Sequence, residues 1–250
     1  MFKIKYQKHR YLFILVTILL WECKGDDKAQ DIVDKSIEAH WGGYPGRIGM
    51  EFEFRNIHYT LLKTQQEFRY TREFKDTVGI AIRDVLSNEG FQRYMDGKPV
   101  EVPQNRATAY SNSINSVMYF MLLPLLLNDD AVIKNYIGEV EVKGTPYYLV
   151  EISFRKKGGG KDYDDVYLYW FNKDTFLMDY LAYDFHVDGG GKRFREAINR
   201  REVNGVVIQD YRNYKADHVE DLFTLDGLFE DGKLEPLSEI ENSVIDLVLK

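Results

Sequence analysis

The residues able to do chemistry are few and scattered. The chain has 250 residues, one cysteine and five histidines, and the histidines are separated by long stretches of sequence. One cysteine excludes an internal disulfide framework and any multi-cysteine metal cluster. His58 and His186 each lie beside an expected strand without a second histidine at ligand spacing, and a lone histidine is ordinarily a hydrogen-bonded structural group. Ser153-Phe154-Arg155-Lys156 spells S-x-x-K, but it falls in an expected strand and no partner motif follows. Asp162, Asp164 and Asp165 could offer oxygens to calcium, yet they lack EF-hand spacing, so a solvated turn is the default. The glycine triplets 189–191 and 158–160 sit between strands and match no phosphate loop, so they are expected to be turns. Asp188, Arg193 and Arg195, across the triplet 189–191, read as structural turn charges. A carboxylate hydrolase using Asp184 or Glu196 with His186 has no spacing that fixes its geometry. The expectation is a non-catalytic protein with no metal and no cofactor.

Cys23 is the exception. Residues 1–10 carry Lys3, Lys5, Lys8 and Arg10 and no acid, and an apolar-rich run follows from Tyr11 to Trp21. Those eleven residues would span ~16 Å as a helix, against ~30 Å of bilayer hydrocarbon. That length suits the apolar core of a signal peptide. Leu20-Trp21-Glu22-Cys23 then resembles the lipobox of bacterial lipoproteins, with Trp21 and Glu22 where small residues are usual. The resemblance implies cleavage before Cys23 and acylation of its thiol, a lipid anchor to the membrane. Each buried methylene of such chains adds ~0.8 kcal/mol, so two or three chains hold firmly. The alternative is a chance cysteine behind a signal peptide or a short membrane anchor.

Residues 1–22 hold four basic residues and one acid, so a formal charge of −7 becomes −10 without them. Nucleic-acid binding through bulk positive charge is therefore excluded. A basic envelope protein is a possible partner for so acidic an exterior. Residues 23–28 read as a lipidated, polar tether, and Lys24 to Lys28 resembles the lysine-plus-acid signal of surface lipoproteins. Residues 29–250 show no linker or composition break and read as a single domain.

The elements follow from hydrophobic period. With 44% hydrophobic and 29% charged residues, the chain has the balance of a folded protein. Ala29, Ile32, Val33, Ile37 and His40 form a helical stripe that Gly42, Gly43, Pro45 and Gly46 end. The period then changes to two, in segments near residues 50–55, 67–74, 79–86, 91–95 and 100–102, the last two flanking Asp96-Gly97. Residues 107–127 become almost wholly apolar, and Pro124 predicts a kinked helix or two short ones. Strands resume over 139–143, 147–155, 166–171, 176–187, 193–201 and 205–214, with a closing strand near 244–249. Residues 166–171 are apolar on both faces, which predicts an interior strand covered on both sides. The whole reads as an antiparallel meander that closes into a barrel or wraps around something.

Asp188 to Ala197, followed by Asp210-Tyr211-Arg212-Asn213-Tyr214, resembles a domain family of unknown function found in Bacteroidota lipoproteins. The opening helix ending at Ala39-His40 shares that resemblance, which covers most of residues 29–215. The family in turn resembles the outer-membrane lipoprotein carrier and receptor fold (LolA/LolB-like). Asn88 to Gly97 is similar to a hairpin of those proteins. The resemblance implies a mainly β (α+β) fold with a strongly curved antiparallel sheet, an open half-barrel. An N-terminal helix and a helical insert would pack on its concave face. It further implies an outer-membrane lipoprotein of the cell envelope that binds a hydrophobic ligand, an acyl chain or other lipid, in that face.

Two readings of the apolar insert stand. Met118, Met121 and Leu122 are either the lid of a lipid cavity, where methionine adapts to varied ligands, or an ordinary core helix under a sheet. The alternating aromatic and aliphatic residues of the strands pose the same choice. Phe52, Phe54, Phe68, Tyr70, Ile82, Tyr148, Ile152, Tyr169 and Tyr183 complete the candidate cavity lining. Such a face must be covered by helix, by a second sheet or by ligand.

Overall fold

The computed structural model describes residues 23–156, 165–186 and 190–250, with side chains from residue 27. The leader, the side chain of Cys23, the first glycine triplet, Asp162, Asp164, Asp188 and Gly189 lie outside the described residues. The opening helix, α1 (Cys23–Trp41), buries the expected stripe: Ala29, Ile32, Val33 and Ile37 are each at most 3% exposed. Ser36, His40 and Trp41 complete that face. Residues 23–28, expected to be a polar tether, lie within this helix. One glycine at position 25 costs a helix about 1 kcal/mol, less than a single buried Ile or Val of the stripe returns.

Six strands follow: β1 (Arg47–Phe54), β2 (Ile57–Thr64), β3 (Phe68–Lys75), β4 (Ala81–Ser87), β5 (Gly90–Met95) and β6 (Lys98–Val100). Next come α2 (Gln104–Leu122) and a 3₁₀ turn (Leu125–Asn128). The break between them falls at Pro124, which has no N–H to continue the helix. The second run holds β7 (Val132–Val142), β8 (Thr145–Phe154), β9 (Val166–Asn172), β10 (Met178–Phe185), β11 (Gly191–Val203) and β12 (Val206–Lys215). A short helix, α3 (Leu225–Glu230), precedes β13 (Glu235–Ile240) and β14 (Ser243–Leu249).

The strands form two antiparallel seven-stranded sheets, ordered β14-β1-β2-β3-β4-β5-β6 and β13-β12-β11-β10-β9-β8-β7. Only Glu241 and Asn242 separate β13 in one sheet from β14 in the other. Asn204 on the β11–β12 turn donates to the Leu247 carbonyl on β14 at 2.8 Å, tying the sheets at that edge. The far edges, β6 and β7, are not paired with each other. The result is a mainly β fold, a curved sheet that does not close, with helices in its concavity.

Three elements escape hydrophobic period. In β2, adjacent Leu61 and Leu62 interrupt the alternation, and its turn from β1 uses Arg55 and Asn56, both at positive φ, in place of a glycine. Strand β13 is an exposed edge carrying Pro236, the position a sheet allows for proline. Helix α3 is only six residues long. In β7 the alternation shifts at a bulge between Tyr136 and Gly138, so the strand begins seven residues before the expected start.

Two cores result. The main one fills the concavity with α1, α2 and the inner faces of both sheets, including Phe52, Ile114, Met118, Leu122, Tyr169 and Leu181. The second covers the outer face of the β7–β13 sheet, where Phe229 of α3 and its flanks meet Trp170, Tyr180 and Phe194. Strand β9 accordingly gives Tyr169 and Phe171 to one core and Leu168 and Trp170 to the other, as its two apolar faces predict.

Candidate functional site

A cleft of about 630 Å³ lies between the two sheets, with α2 along it. That volume falls within the ~300–1,000 Å³ of small-molecule sites. Its register can be read directly from the strand pairing. On the first sheet one row runs Phe52, Tyr59, Arg72, Asp84, Arg93 across β1 to β5. On the second sheet a row runs Val150, Tyr169, Leu181, Arg195, Asn213, Ser238 across β8 to β13. Each row is apolar at one end and polar at the other.

Helix α2 supplies the third wall. Ser113, Ser116, Val117, Phe120 and Met121 recur at helical spacing along the cleft, while Ile114, Met118 and Leu122 turn into the core. The serine-rich start and apolar end of this helix differ in burial: none of residues 104–113 is buried, whereas Ile114, Met118, Met121 and Leu122 are. Aromatic pairs lie at and beside the cleft. Phe120 meets Tyr183 at 5.4 Å between centroids, Tyr183 stacks on Tyr167 at 5.5 Å, and Phe52 stacks on Tyr59 at 5.2 Å. Beneath the cleft, Tyr119 and Tyr169 share a hydroxyl–hydroxyl hydrogen bond of 2.8 Å.

The charges divide by wall. Arg72 Nε donates to Asp84 at 2.8 Å, and its guanidinium also reaches Ser113 Oγ on α2 at 3.1 Å. Arg93 holds the same carboxylate through two hydrogen bonds of 2.6 and 2.8 Å. On the other wall, Arg193 pairs with Asp217. Arg195 is 8% exposed, lies 3.9 Å over the Phe120 ring and donates to the Tyr183 hydroxyl at 2.8 Å. No carboxylate among the described residues pairs with it, and its Nε has no hydrogen-bond partner among them. The neighbouring Asn213, 6% exposed, donates weakly to Ser238 Oγ at 3.4 Å and leaves its Oδ1 unpartnered.

Burial pushes the hydroxyls of Tyr59 and Tyr211 up, with Arg72 opposing the shift at Tyr59 and the Gln209 hydrogen bond opposing it at Tyr211. Both stay neutral, and Tyr211 accepts the Gln209 amide N–H at 2.8 Å. Below the cleft floor, His40 is 1% exposed. Its Nε2 accepts the Met178 N–H at 3.1 Å, which leaves Nδ1–H to donate to the Val207 carbonyl at 3.4 Å. Burial lowers its pKa to about 4, outweighing the Val207 carbonyl, which favours the cation. It is a neutral structural group that ties α1 to β10 and β12.

Of the residues expected to line the cavity, Phe54, Met121 and Tyr183 border this cleft. Phe52, Tyr70, Met118, Leu122, Ile152 and Tyr169 lie in the packed main core, Phe68 and Tyr148 pack partly buried against it, and Ile82 is buried on β4. The alternation signal found the inner face but not which part of it stays open. It passed over Tyr59, Val117, Phe120, Arg195 and Asn213. The sequence Arg193-Phe194-Arg195 did carry a signal: it places two arginines on one face, opposite a fully buried phenylalanine. Both arginines border the cleft; Arg193 is held by Asp217 beside the glycine turn, whereas Arg195 has no carboxylate partner among the described residues.

Asp184 and Glu196 do not meet His186. Asp184 pairs with Lys192 at 2.9 Å, Glu196 pairs with Arg212 at 3.0 Å, and His186 contacts Asp165 at 3.1 Å. Among the described residues no three His, Cys, Asp or Glu converge on a metal position, and no helix is long and apolar enough to cross a membrane.

The fold is similar to several solved structures at low identity. A LolA superfamily protein from Nitrosomonas europaea shares 12% identity over 89% of this chain and 93% of its own, with a TM-score of 0.47. A domain assigned to outer membrane lipoprotein sorting from Vibrio parahaemolyticus shares 10% over 90% and 93%, at 0.44. A DUF1329 family protein from Desulfovibrio piger shares 12% over 89% and 93%, at 0.42. No curated protein sequence matches the chain. A family model does, over residues 8–242, and the chain therefore belongs to DUF6503, a family of unknown function.

Proposed function

We propose that this protein binds a hydrophobic molecule, an acyl chain or other lipid, non-covalently in the cleft between its two sheets, and does no chemistry on it. One observation carries the reading: a cleft of about 630 Å³ walled by aromatic rings persists between sheets whose remaining inner surface is packed. Burying apolar ligand surface there gains ~25 cal/mol per Å², so affinity needs no elaborate polar recognition. On this reading Cys23 carries the acyl anchor, residues 1–22 are the leader that brings it to the membrane, and residues 29–250 work as one domain in the cell envelope.

The test is a titration of the full chain with a fluorescent long-chain fatty acid, comparing the natural sequence with Ser116→Trp. Ser116 borders the cleft but is itself exposed, so an indole there fills binding space without disturbing the core. The expected result is saturable one-to-one binding, weakened about tenfold or more by Ser116→Trp, with the unfolding midpoint almost unmoved. Equal binding by both chains would show that the probe sits elsewhere.

A second reading has its own observation. Glu220, Asp221, Glu230, Asp231 and Glu235 are all exposed on the C-terminal segment. Such an acidic surface suits a basic envelope protein, and binding that weakens steeply with salt would support it; salt-independent binding would remove it.

A further inference from the structure

Arg195 is a buried cation without a counter-ion among the described residues. The other buried arginine of the cleft has one, since Arg72 rests on Asp84. Leaving a charge buried and unpaired is costly, and a fold retains such a group where something else completes it. The Arg195 neighbourhood is incomplete in two complementary ways. Its Nε is an unused donor, and the Oδ1 of Asn213, the direct cross-strand partner, is an unused acceptor. Both residues are more than nine-tenths buried and both border the cleft. The Phe120 ring covers the guanidinium at 3.9 Å and the Tyr183 hydroxyl holds one of its nitrogens, so the fork is fixed in place before any ligand arrives.

We propose that Arg195 and Asn213 form an anion subsite that reads the polar head of an amphiphile whose apolar part occupies the aromatic cleft. An anionic oxygen, from phosphate or carboxylate, accepts from Arg195 Nε, and a hydroxyl on the same head donates to Asn213 Oδ1. Phe120 serves both parts of the ligand, one ring region covering the cation and the rest bordering the chain. This rests on the cleft being the ligand site, and it adds that the site selects anionic amphiphiles over neutral ones.

The experiment is calorimetric titration of the full chain with dodecyl phosphate, dodecanol and inorganic phosphate, each below its aggregation limit. Dodecyl phosphate should bind about tenfold or more tighter than dodecanol, and inorganic phosphate far more weakly than either. Arg195→Met keeps the apolar stem under Phe120 and removes the charge, so it should cut that preference to about twofold or less. Equal affinity for dodecyl phosphate and dodecanol in the natural chain would overturn the anion subsite and leave the lipid cleft standing. No binding of either would overturn both. Inorganic phosphate binding as tightly as dodecyl phosphate would also overturn the proposal, because the site would then be one for the free anion. The natural chain alone decides these outcomes, whether or not the variant folds.

Discussion

Two arginines enter the same cleft from opposite sheets at nearly equal burial, Arg72 at 7% and Arg195 at 8% exposed. Their surroundings are opposite. Arg72 meets Asp84, a fully buried carboxylate that also takes Arg93, and the three residues are register partners on β3, β4 and β5. Arg195 meets an aromatic ring, a tyrosine hydroxyl and an asparagine. On the first wall one buried carboxylate serves two guanidinium groups, so each cation has a counter-ion. On the second wall Arg195 has no carboxylate partner among the described residues, and the proposed anion subsite rests on that difference. Equal burial of the same side chain therefore says little about role; the inventory of its partners says much more.

The largest expected effect breaks the ion-paired wall. Asp84→Asn would leave the guanidinium groups of Arg72 and Arg93 buried without their carboxylate, and urea unfolding should show a loss of about 3–5 kcal/mol. A change under about 1 kcal/mol would mean that this triad contributes no more than a surface pair.

The next effect sets the pH range in which the walls can be compared. The pKa of His40 falls from an ordinary 6.5 to about 4 on folding, so the unfolded chain binds the extra proton first. Its contribution is fully present above pH 6.5 and is lost as pH falls from there toward 4, about 3 kcal/mol in all. Stability measured across that window should drop as acid is added, and His40→Gln should flatten the slope. An unchanged slope in the variant would assign the acid sensitivity to other groups.

The smallest effect sharpens the comparison most. Arg195→Met should leave unfolding stability unchanged or raise it by up to about 1 kcal/mol, because it removes a buried charge that has no counter-ion to strand. Arg72→Met should instead lower stability by about 1–3 kcal/mol, since Asp84 keeps only Arg93. Equal losses in the two variants would erase the distinction between the walls.

Much of this architecture was legible in the sequence. The stripe of α1, the alternation of most strands and the two apolar faces of β9 all follow from period, because a buried face imposes its repeat on the residues that fill it. What escaped had no repeat to impose. The Arg55–Asn56 turn takes positive φ without a glycine, so the β1–β2 hairpin carried no turn signal. The cleft itself was harder still. Met118 and Met121 look alike in sequence, yet only Met121 borders the opening, because three residues turn a helix by less than a full revolution. Arg195 looked like a turn charge because it follows a glycine triplet; only the register opposite Asn213 and the ring of Phe120 reveal its surroundings.

The central claim is that the cleft holds a lipid. Native mass spectrometry of the full chain, purified free of detergent, tests it most directly, followed by solvent extraction of any bound lipid. The account predicts an extractable, non-covalent anionic amphiphile at one per chain, absent from Ser116→Trp. A chain that carries no extractable lipid and takes none up on titration would contradict it.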